Sequence, residues 1–414
     1  MHFDTLETRD PEARERAIFA ALPAQVAYAK AKTSAYARLL HGIDPASVRT
    51  RAALARLPVV RKSELVDMQK ALPPFGGVAA SGWGVQARRA RLVFASPGPL
   101  HEPEGDTADY WRLARALFAA GFRAGDLVHN TFSYHFTPGG AMLESGALAL
   151  GCTVFRGGTG QTEQQVQSIS ELAPDAYVGT PSFLKIILEK ADELGVRLPS
   201  LKKALVSGEA CPASLRDALG ARGIAAYQVY ASADLGSIAY ESPARAGLIV
   251  DEGALVEIVR PGTGDPVAPG EVGEVVVTLL ANADYPLLRF GTGDLSAFMP
   301  GTSPCGRTNA RIKGWLGRAD QTTKVKGMFV HPAQIAQIVA RHPEIARARL
   351  VVDNPDGNDR MTLHVEIAGM APASAQAIVA TIRDVTKLRG EFAVHAPGEL
   401  ANDGKVIDDT RKYD

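Results

Sequence analysis

Short apolar runs alternate with amphipathic segments between residues 91 and 231, and this alternation constrains the fold more than any other feature of the sequence. The runs are RLVFAS, DLVHNTF, CTVFRG, AYVGT, KALVSG and AAYQVYA. Between them lie helix candidates whose apolar residues recur at a helical period, such as DYWRLARALFAA, SFLKIILEKADEL and ASLRDALGARG. Parallel neighbours in a sheet need crossover connections of this kind. The alternation therefore predicts a largely parallel sheet with helices on its faces.

Two further regions follow. After Ser237 the segments GLIVDEGALVEIVRPGTGDPV, GEVGEVVVTLL and YPLLRFGTGDLSAF are extended and separated by turn signals, which is typical of a mainly antiparallel β subdomain. Next come the strand-like TTKVKGMFV, a helix from Pro332, a hairpin turning at Asp356 and Gly357, a second helix and the strand EFAVHA. We therefore predict an α/β protein. Its large N-terminal domain, residues 1–318, combines a mainly parallel sheet with a β subdomain, and residues 319–414 form a small α+β C-terminal domain.

The composition argues against several classes of protein. Lysine plus arginine and aspartate plus glutamate each number 45, so no overall field favours nucleic acid or an anionic membrane as a partner. Apolar residues make up 46%, enough for a substantial core. The three cysteines lack a metal-binding spacing, and the sequence indicates neither a signal peptide nor an apolar run of about 18 residues. We expect a cytoplasmic protein that binds neither nucleic acid nor membrane.

The stretch YQVYASADLGSIAYE carries the first chemical signal. A predicted strand ends in small residues and Asp234, at the carboxyl end of a parallel strand, where α/β sheets bind ligands. A single acid in such a turn is more often structural, so the motif needs support from others. RFGTGDL sets Asp294 in a Gly-Thr-Gly turn, where a carboxylate can accept two hydrogen bonds from a ribose diol. GRADQTTKVKG and NDGKVIDD follow it with arginine and lysine side chains.

With these motifs in this order, the sequence resembles the adenylate-forming acyl/aryl-CoA synthetase superfamily, and most of all the phenylacetate-CoA ligases. The family's Tyr-Gly-x-Thr/Ser-Glu motif is matched by Tyr230, Ala231, Ser232, Ala233 and Asp234. Its Tyr-Arg-Thr-Gly/Arg-Asp motif is matched by residues 290–294, and its Gly-Arg-x-Asp hinge by residues 317–320. VSGEAC resembles the adenine-side Gly-Ala-Glu through Gly208, Glu209 and Ala210, and Gly404-Lys405 matches the carboxy-terminal Gly-Lys. The resemblance covers roughly residues 92–405 and is most specific from 227 to 332.

The resemblance implies an AMP-forming ligase that uses ATP, Mg²⁺ and coenzyme A to convert a small carboxylic acid, expected to be an aryl acid, into its CoA thioester through acyl-AMP. The implied nucleotide-binding residues are Ser96, Gly98, Gly208, Glu209, Ala210, Tyr230, Ala231, Ser232, Ala233, Asp294 and Arg318, with Asp234 as the magnesium ligand. The implied catalytic residues are Lys405 and the hinge residue Asp320, and the implied coenzyme A tunnel contains Lys324, Lys326 and Gly327. Because Lys324 and Lys326 alternate on one strand, one of them is expected to face solvent. The resemblance also implies that residues 1–318 bind the adenylate, that residues 319–414 form a mobile lid, and that the assembly is a homodimer.

The segment VFASPGPLHEPEGD lies where the family carries Ser-Ser-Gly-Thr-Thr-Gly-x-Pro-Thr, the loop that wraps the β- and γ-phosphates of ATP. Only residues 95–99 match, without the threonine pair and without a lysine. Glu102 and Glu104 add negative charge beside the expected polyphosphate. We therefore expect AMP or acyl-AMP to bind well and ATP comparatively poorly, with a salt-sensitive contribution from the two glutamates.

The acid pocket is expected near FSYHFTPGG. Tyr134, His135 and Phe136 precede a Gly-Gly turn at the place where the family forms this pocket, and Gly236 is a further candidate. An aromatic lining suits an aryl acid, although such residues equally often belong to the core. His135 is not expected to act as a general base, because a carboxylic acid is already ionised at neutral pH. Two alternatives to a ligase stay open: a non-catalytic AMP- or acyl-adenylate-binding protein and a scaffold protein of the same fold.

Overall fold

The structure is a computed structural model that describes residues 1–83, 88–96, 100–325, 328–355, 359–369, 372–401 and 405–411. The chain forms two compact units. The first contains residues 1–292 and 297–315, and the second contains residues 293–296 and 316–414. Each unit has a hydrophobic core of its own among the described residues. No helix in the described part of the chain has both the length and the apolar character that a membrane crossing needs.

Helices and strands of the first unit follow the predicted alternation closely. Its helices are α1 (Pro11–Lys32), α2 (Ser34–Leu39), α3 (Arg51–Leu54), α4 (Lys62–Ala71), α5 (Ala114–Ala119), α6 (Gly139–Ala149), α7 (Thr162–Leu172), α8 (Pro181–Glu193) and α9 (Ala213–Ala221), with short 3-10 helices at Thr5–Thr8 and Pro45–Ser47. Its strands are β1 (Val60–Arg61), β2 (Ser81–Gly82), β3 (Arg88–Arg89), β4 (Leu92–Ser96), β5 (Leu100–Glu104), β6 (Leu127–Asn130), β7 (Thr153–Arg156), β8 (Ala176–Gly179), β9 (Lys203–Val206), β10 (Ala225–Ser232), β11 (Gly236–Tyr240), β12 (Leu248–Val250), β13 (Ala254–Val259), β14 (Gly273–Leu279), β15 (Phe290–Ser296, whose last four residues belong to the second unit), β16 (Phe298–Met299) and β17 (Arg311–Ile312).

A nine-stranded sheet organises the first unit, in the order β16-β17-β12-β11-β10-β9-β8-β6-β7. The five strands from β10 to β7 are parallel, as the alternation predicts, because a helix connects each of these strands to the next along the chain. The strand β11 turns back antiparallel to β10, and the remaining strands extend the sheet antiparallel from there. A second sheet, β1-β15-β14-β13, corresponds to the expected β subdomain.

The first predicted run does not join the parallel sheet, and this part of the prediction was wrong. Strand β4 pairs only with β5, as an antiparallel hairpin from Leu92↔Glu104 to Ser96↔Leu100. The run is short, and Leu92 and Val93 remain 41% and 42% exposed, so it lacks the two buried faces of a central parallel strand.

One buried arginine ties the second sheet to the N-terminal helices. Arg289 is 2% exposed and donates to Glu257 at 3.0 Å. Its remaining nitrogens donate to the carbonyl oxygens of Ala55, Leu57 and Gly264 at 2.8, 2.6 and 2.8 Å. A guanidinium that donates from all three of its nitrogens in this way holds three chain segments together, and removing it would leave a buried carboxylate without its partner.

The second unit is the expected small α+β fold. Its elements are a 3-10 turn (Ala319–Gln321), β18 (Thr323–Val325), β19 (Met328–Val330), α10 (Pro332–Arg341), β20 (Arg347–Asp353), β21 (Arg360–Glu366), α11 (Pro372–Thr386), β22 (Glu391–His395) and β23 (Ile407–Asp409). The sheet order is β22-β21-β20-β23, and β20 and β21 form the predicted hairpin from Arg347↔Glu366 to Asp353↔Arg360. The predicted turn at Asp356 and Gly357 lies outside the described residues. Helix α10 is amphipathic and buries Ile335 and Ile338 in the core.

Candidate active site

The carboxyl ends of the parallel strands bring the predicted motifs to one edge of the first unit. Strands β8, β9 and β10 end at Gly179, Val206 and Ser232 and run in the same direction, so the residues that follow them lie side by side. Such an edge, where β10 is followed by a change of strand direction at β11, is the usual ligand site of an α/β sheet.

The adenine-side candidates line this edge after β9. Gly208, Glu209 and Ala210 are all exposed, and Gly208 has φ +85°, which favours glycine. A Cβ at Gly208 would lie within 4 Å of Thr180 and Phe132, so the loop passes close to both. The Glu209 carboxylate accepts a 2.7 Å hydrogen bond from the Ser182 amide in the first turn of α8, where the helix dipole favours an anion. This contact anchors the side chain of Glu209 and leaves the backbone groups of the loop at the open edge.

Motif residues after β10 are half-buried except for the acid. Tyr230 donates to the Thr292 hydroxyl at 3.2 Å, and that hydroxyl donates to the Val275 carbonyl at 3.0 Å, which ties the two sheets together. Ala231 and Ser232 form the bulged end of β10, and Ala233 is the first residue after it. Asp234 follows in the turn and is 2% exposed.

Lys62 is the partner of Asp234, and sequence reasoning missed it. Its Nζ lies 2.7 Å from Asp234 Oδ2, while Asp234 Oδ1 is buried and has no hydrogen-bond partner among the described residues. The Lys62 side chain is 28% exposed, whereas the Asp234 side chain is fully buried. The two residues are 172 positions apart. The one sequence signal that could have prompted a search is the missing lysine in the phosphate-loop segment.

The glutamates of that segment do not face solvent, and the expectation of partly exposed, salt-screened charges was wrong. Glu102 is 0% exposed, and its carboxyl group bonds both the hydroxyl and the amide of Ser96. Burial, together with the nearby charge of Asp234, raises the pKa of Glu102 to about 8, so it is mostly protonated at pH 7. Glu104 is 3% exposed and accepts a 2.9 Å hydrogen bond from the Trp111 indole, and burial raises its pKa. Antiparallel pairing of β5 with β4 turns both side chains inward.

The hairpin is also fastened to helix α4. Gln69 donates to the His101 carbonyl at 2.9 Å and accepts from the His101 amide at 2.8 Å. Gln69 is 6% exposed, so this reciprocal pair is shielded from water. Helix α4 thus positions both strand β5 of the hairpin and Lys62. Gly98, a predicted nucleotide contact, lies outside the described residues.

Two cavities adjoin the predicted acid pocket. Tyr134 lines both, a cavity of about 620 Å³ shared with Phe94, Glu144 and Arg156 and another of about 400 Å³ shared with His135. The Tyr134 hydroxyl donates to Glu144 at 2.9 Å and accepts from Asn130, and the Arg156 guanidinium lies 5.4 Å from the Tyr134 ring centroid.

The other two pocket candidates differ from Tyr134 in their surroundings. Phe136 is 82% exposed and is not enclosed by either cavity. Gly236 is buried with φ +71°, and a Cβ there would lie 2.5 Å from the Trp111 carbonyl oxygen. The closeness of this backbone accounts for glycine at position 236.

In the second unit, the ribose candidates are joined to each other. Arg318 donates to Asp294 Oδ1 at 3.1 Å, and the two residues also form an isolated β-bridge. Gly293 has φ +73°, and a Cβ at this position would lie 2.6 Å from an Arg318 nitrogen. The glycine therefore allows the arginine to lie against the turn that carries Asp294.

The remaining candidates of the second unit lie in and around its short turn. Lys405 is exposed, with its Nζ 2.9 Å from Asp408, and the next residue donates its amide to Gln321 at 2.8 Å. Asp320 lies in the same 3-10 turn as Gln321. Lys324 lies on β18, whereas Lys326, Gly327 and the glycine before Lys405 are outside the described residues.

The donors in the first unit fit a magnesium ion bound with a nucleotide. The described residues contain no cluster of three acidic, histidine or cysteine side chains that could cage a metal. Magnesium usually takes one or two carboxylates and completes its shell with phosphates and water. The buried Oδ1 of Asp234, which has no hydrogen-bond partner among the described residues, has the donor chemistry of such a carboxylate.

Comparisons with known proteins identify the family to which the chain is similar. The family of AMP-binding enzymes matches residues 107–279. A phenylacetate-coenzyme A ligase of Aromatoleum evansii is 33% identical over 341 residues, which cover 79% of this chain and 75% of that protein. A phenylacetate-coenzyme A ligase of Thermus thermophilus is 31% identical over 360 residues, 83% of this chain and 79% of that protein.

Solved structures confirm the fold class. An open conformation of 2-hydroxyisobutyryl-CoA ligase, in complex with 2-HIB-AMP and CoA, superposes with a TM-score of 0.84 at 26% identity, covering 97% of this chain and 92% of that one. An anthranilate CoA ligase in complex with anthranoyl-AMP shares the fold alone, with a TM-score of 0.53 at 17% identity, covering 79% of this chain and 68% of that one. The chain belongs to the AMP-binding enzymes and, among them, to the family of the phenylacetate-coenzyme A ligases.

Proposed function

We propose that the protein is an ATP-dependent carboxylic acid to CoA ligase that acts through an acyl-AMP intermediate, with an aryl acid related to phenylacetate as its substrate. The observation that carries this proposal is the match to phenylacetate-coenzyme A ligases along three quarters or more of their length. The order of the motifs at positions 230–234, 290–294 and 317–320 supports it independently.

In the first half-reaction, a carboxylate oxygen of the acid attacks the α-phosphorus of ATP, and the bond to pyrophosphate breaks. Tyr230 and the loop after β9 are the proposed adenine contacts, and Asp294 with Arg318 is the proposed ribose contact. The ammonium of Lys405 is proposed to stabilise the charge that develops on the reacting oxygens. Magnesium, when bound, supplies charge neutralisation on the phosphates, and the free oxygen of Asp234 is its proposed protein ligand.

In the second half-reaction, the thiolate of coenzyme A attacks the acyl carbon and AMP leaves. Lys324, Lys326 and Gly327 are assigned to this step, and Asp320 is the proposed hinge at which residues 319–414 reorient between the two steps. The proposed division into residues 1–318 and 319–414 belongs to this mechanism. We further propose that the protein is a cytoplasmic homodimer. We also propose that it has no nucleic-acid or membrane partner, because its positive and negative charges balance.

An aryl acid is proposed because the cavity around Tyr134 offers aromatic surface from Phe94 as well as Tyr134. The test is a panel of aryl and aliphatic acids with ATP, Mg²⁺ and coenzyme A, followed by pyrophosphate release and by thioester formation. Coenzyme A-dependent thioester from at least one aryl acid is the expected result. Faster turnover of aliphatic acids would contradict the substrate class alone, and no pyrophosphate from any acid would contradict the ligase.

A non-catalytic adenylate-binding protein is the second candidate. One observation favours it. The amide and hydroxyl of Ser96 donate hydrogen bonds to the carboxyl group of Glu102, at the place where the family uses hydroxyl donors to bind phosphate. This candidate predicts AMP binding by calorimetry without pyrophosphate release from any acid. A scaffold protein on the same fold predicts that neither would be observed.

A further inference from the structure

The phosphate-loop segment provides no cation for a polyphosphate. Residues 93–106 contain neither lysine nor arginine. The described part of the segment is a hairpin held by Gln69, with its acids turned inward. Any positive charge that meets the phosphates in this part of the first unit must therefore come from another element.

Lys62 is on such an element. It is the first residue of helix α4, directly after β1, and β1 pairs in parallel with the first residues of β15. This pairing carries Lys62 to the edge at which β10 ends, where its Nζ meets Asp234 at 2.7 Å. The Asp234 side chain is closed to solvent, whereas the Lys62 side chain is 28% exposed, so Lys62 is the more accessible member of the pair.

The charges of Lys62, Asp234 and Glu102 permit an anion to approach. Lys62 and Asp234 form an ion pair whose charges offset each other, and the nearby carboxyl group of Glu102 is buried and hydrogen-bonded to Ser96. A cation that binds the free oxygen of Asp234 would neutralise that carboxylate and leave the ammonium of Lys62 without its counter-charge. The ammonium can then bind phosphate oxygens, which lysine does as a flexible point charge.

We propose that Lys62 is the lysine that binds the β- and γ-phosphates of ATP in this protein, exchanging the carboxylate of Asp234 for the nucleotide when magnesium arrives. This inference rests on the proposed function, because it assigns a residue to the ATP-dependent step. It makes Lys62 a substrate contact supplied by helix α4. The lysine that binds the phosphates therefore comes from outside the phosphate-loop segment.

Lys62→Gln is the test variant, since its amide can still donate to Asp234 and keep the buried carboxylate satisfied. Lys62→Arg preserves the charge. Lys70→Met, on the same helix but 71% exposed, is the matched control. Each protein is titrated with ATP and with AMP by calorimetry, without acid, in Mg²⁺ and again in EDTA.

The expected result is an ATP affinity in Mg²⁺ about 10- to 100-fold weaker for Lys62→Gln, in line with the loss of a charged hydrogen bond, and an unchanged AMP affinity. Lys62→Arg should retain most of the ATP affinity, and Lys70→Met should behave as the wild type. In EDTA the difference in ATP affinity between the wild type and Lys62→Gln should shrink, because Lys62 then stays paired with Asp234.

Two outcomes with Lys62→Gln would overturn the inference. Equal loss of ATP and AMP affinity in Lys62→Gln would make Lys62 a structural partner of Asp234, and unchanged ATP affinity would remove it from the phosphates. If Lys62→Gln does not fold, the double variant Lys62→Gln with Asp234→Asn is compared with Asp234→Asn alone. Weaker ATP binding with equal AMP binding in the double variant supports the phosphate contact, and equal ATP binding overturns it. Loss of both nucleotides in Lys62→Arg overturns it. Wild-type protein that binds neither nucleotide would instead refute the proposed function.

Discussion

Replacing Glu102 with glutamine should change how the stability of the protein depends on pH. Glutamine has the shape of the protonated acid and can keep a hydrogen bond to Ser96, but it does not titrate. The pKa of Glu102 is raised from 4.5 to about 8 in the folded chain. Its proton therefore stabilises the folded state fully below about pH 4.5, and this contribution is lost as the pH rises through about 8.

The size of the effect follows from the two pKa values. One pKa unit corresponds to about 1.4 kcal/mol, so the full rise is worth about 5 kcal/mol, of which about 4 kcal/mol falls between pH 5 and pH 9. The free energy of unfolding of the wild type should thus fall over this range by about 4 kcal/mol more than that of Glu102→Gln. The two proteins should be most alike at pH 5.

Urea unfolding followed by tryptophan fluorescence measures this difference, because all three tryptophans (positions 83, 111 and 315) lie in the first unit with Glu102. Titrations from pH 5 to pH 9 without nucleotide or metal give the two profiles. Glu12→Gln, on a side chain that is 86% exposed, is the control and should follow the wild type. Parallel profiles for the wild type and Glu102→Gln would refute the buried, protonated state of Glu102.

Three further predictions concern the other residues described above. Asp294→Asn should weaken AMP binding about tenfold or more in calorimetry, because a charged pair of hydrogen bonds is lost, and an unchanged affinity would exclude Asp294 from the ribose contact. Lys405→Ala should slow pyrophosphate release while leaving thioester formation from supplied acyl-AMP nearly intact; equal loss in both assays would contradict its assignment to the first step. Arg289→Met should lower the free energy of unfolding by about 3–5 kcal/mol because Glu257 is left buried and unpaired, and adding Glu257→Gln should restore part of it in urea titrations. If Arg289→Met lowers the free energy of unfolding by less than about 1 kcal/mol, the Arg289–Glu257 pair does not hold these segments together.

The sequence allowed the parallel sheet to be predicted because its signal is local. A run such as AYVGT is apolar throughout, is short, and is followed by an amphipathic helix that begins at Pro181, so its strand and its crossover can both be read from neighbouring residues. The same holds for the hairpin of the second unit, whose two strands alternate on either side of a turn signal.

The hairpin β4-β5 and the contact between Lys62 and Asp234 could not be predicted in this way. The segment LHEPE contains two acids and a proline, which by local rules indicate a solvent-exposed loop, yet pairing with β4 buries both acids. Lys62 meets Asp234 only because β1 joins β15 across more than 200 residues of sequence, and no periodicity reports such a contact. The motif residues themselves were identified through family resemblance, and their roles stay predictions.

The contact between Gly236, a proposed pocket residue, and Trp111 limits which side chains position 236 can carry. Position 236 combines a left-handed backbone with a carbonyl oxygen where a Cβ would be, so even alanine would have to displace the backbone of Trp111. Directed evolution that aims at smaller or larger acids should therefore recover no viable variants at this position. Changes in substrate range should instead accumulate at Tyr134 and Arg156, which line both cavities.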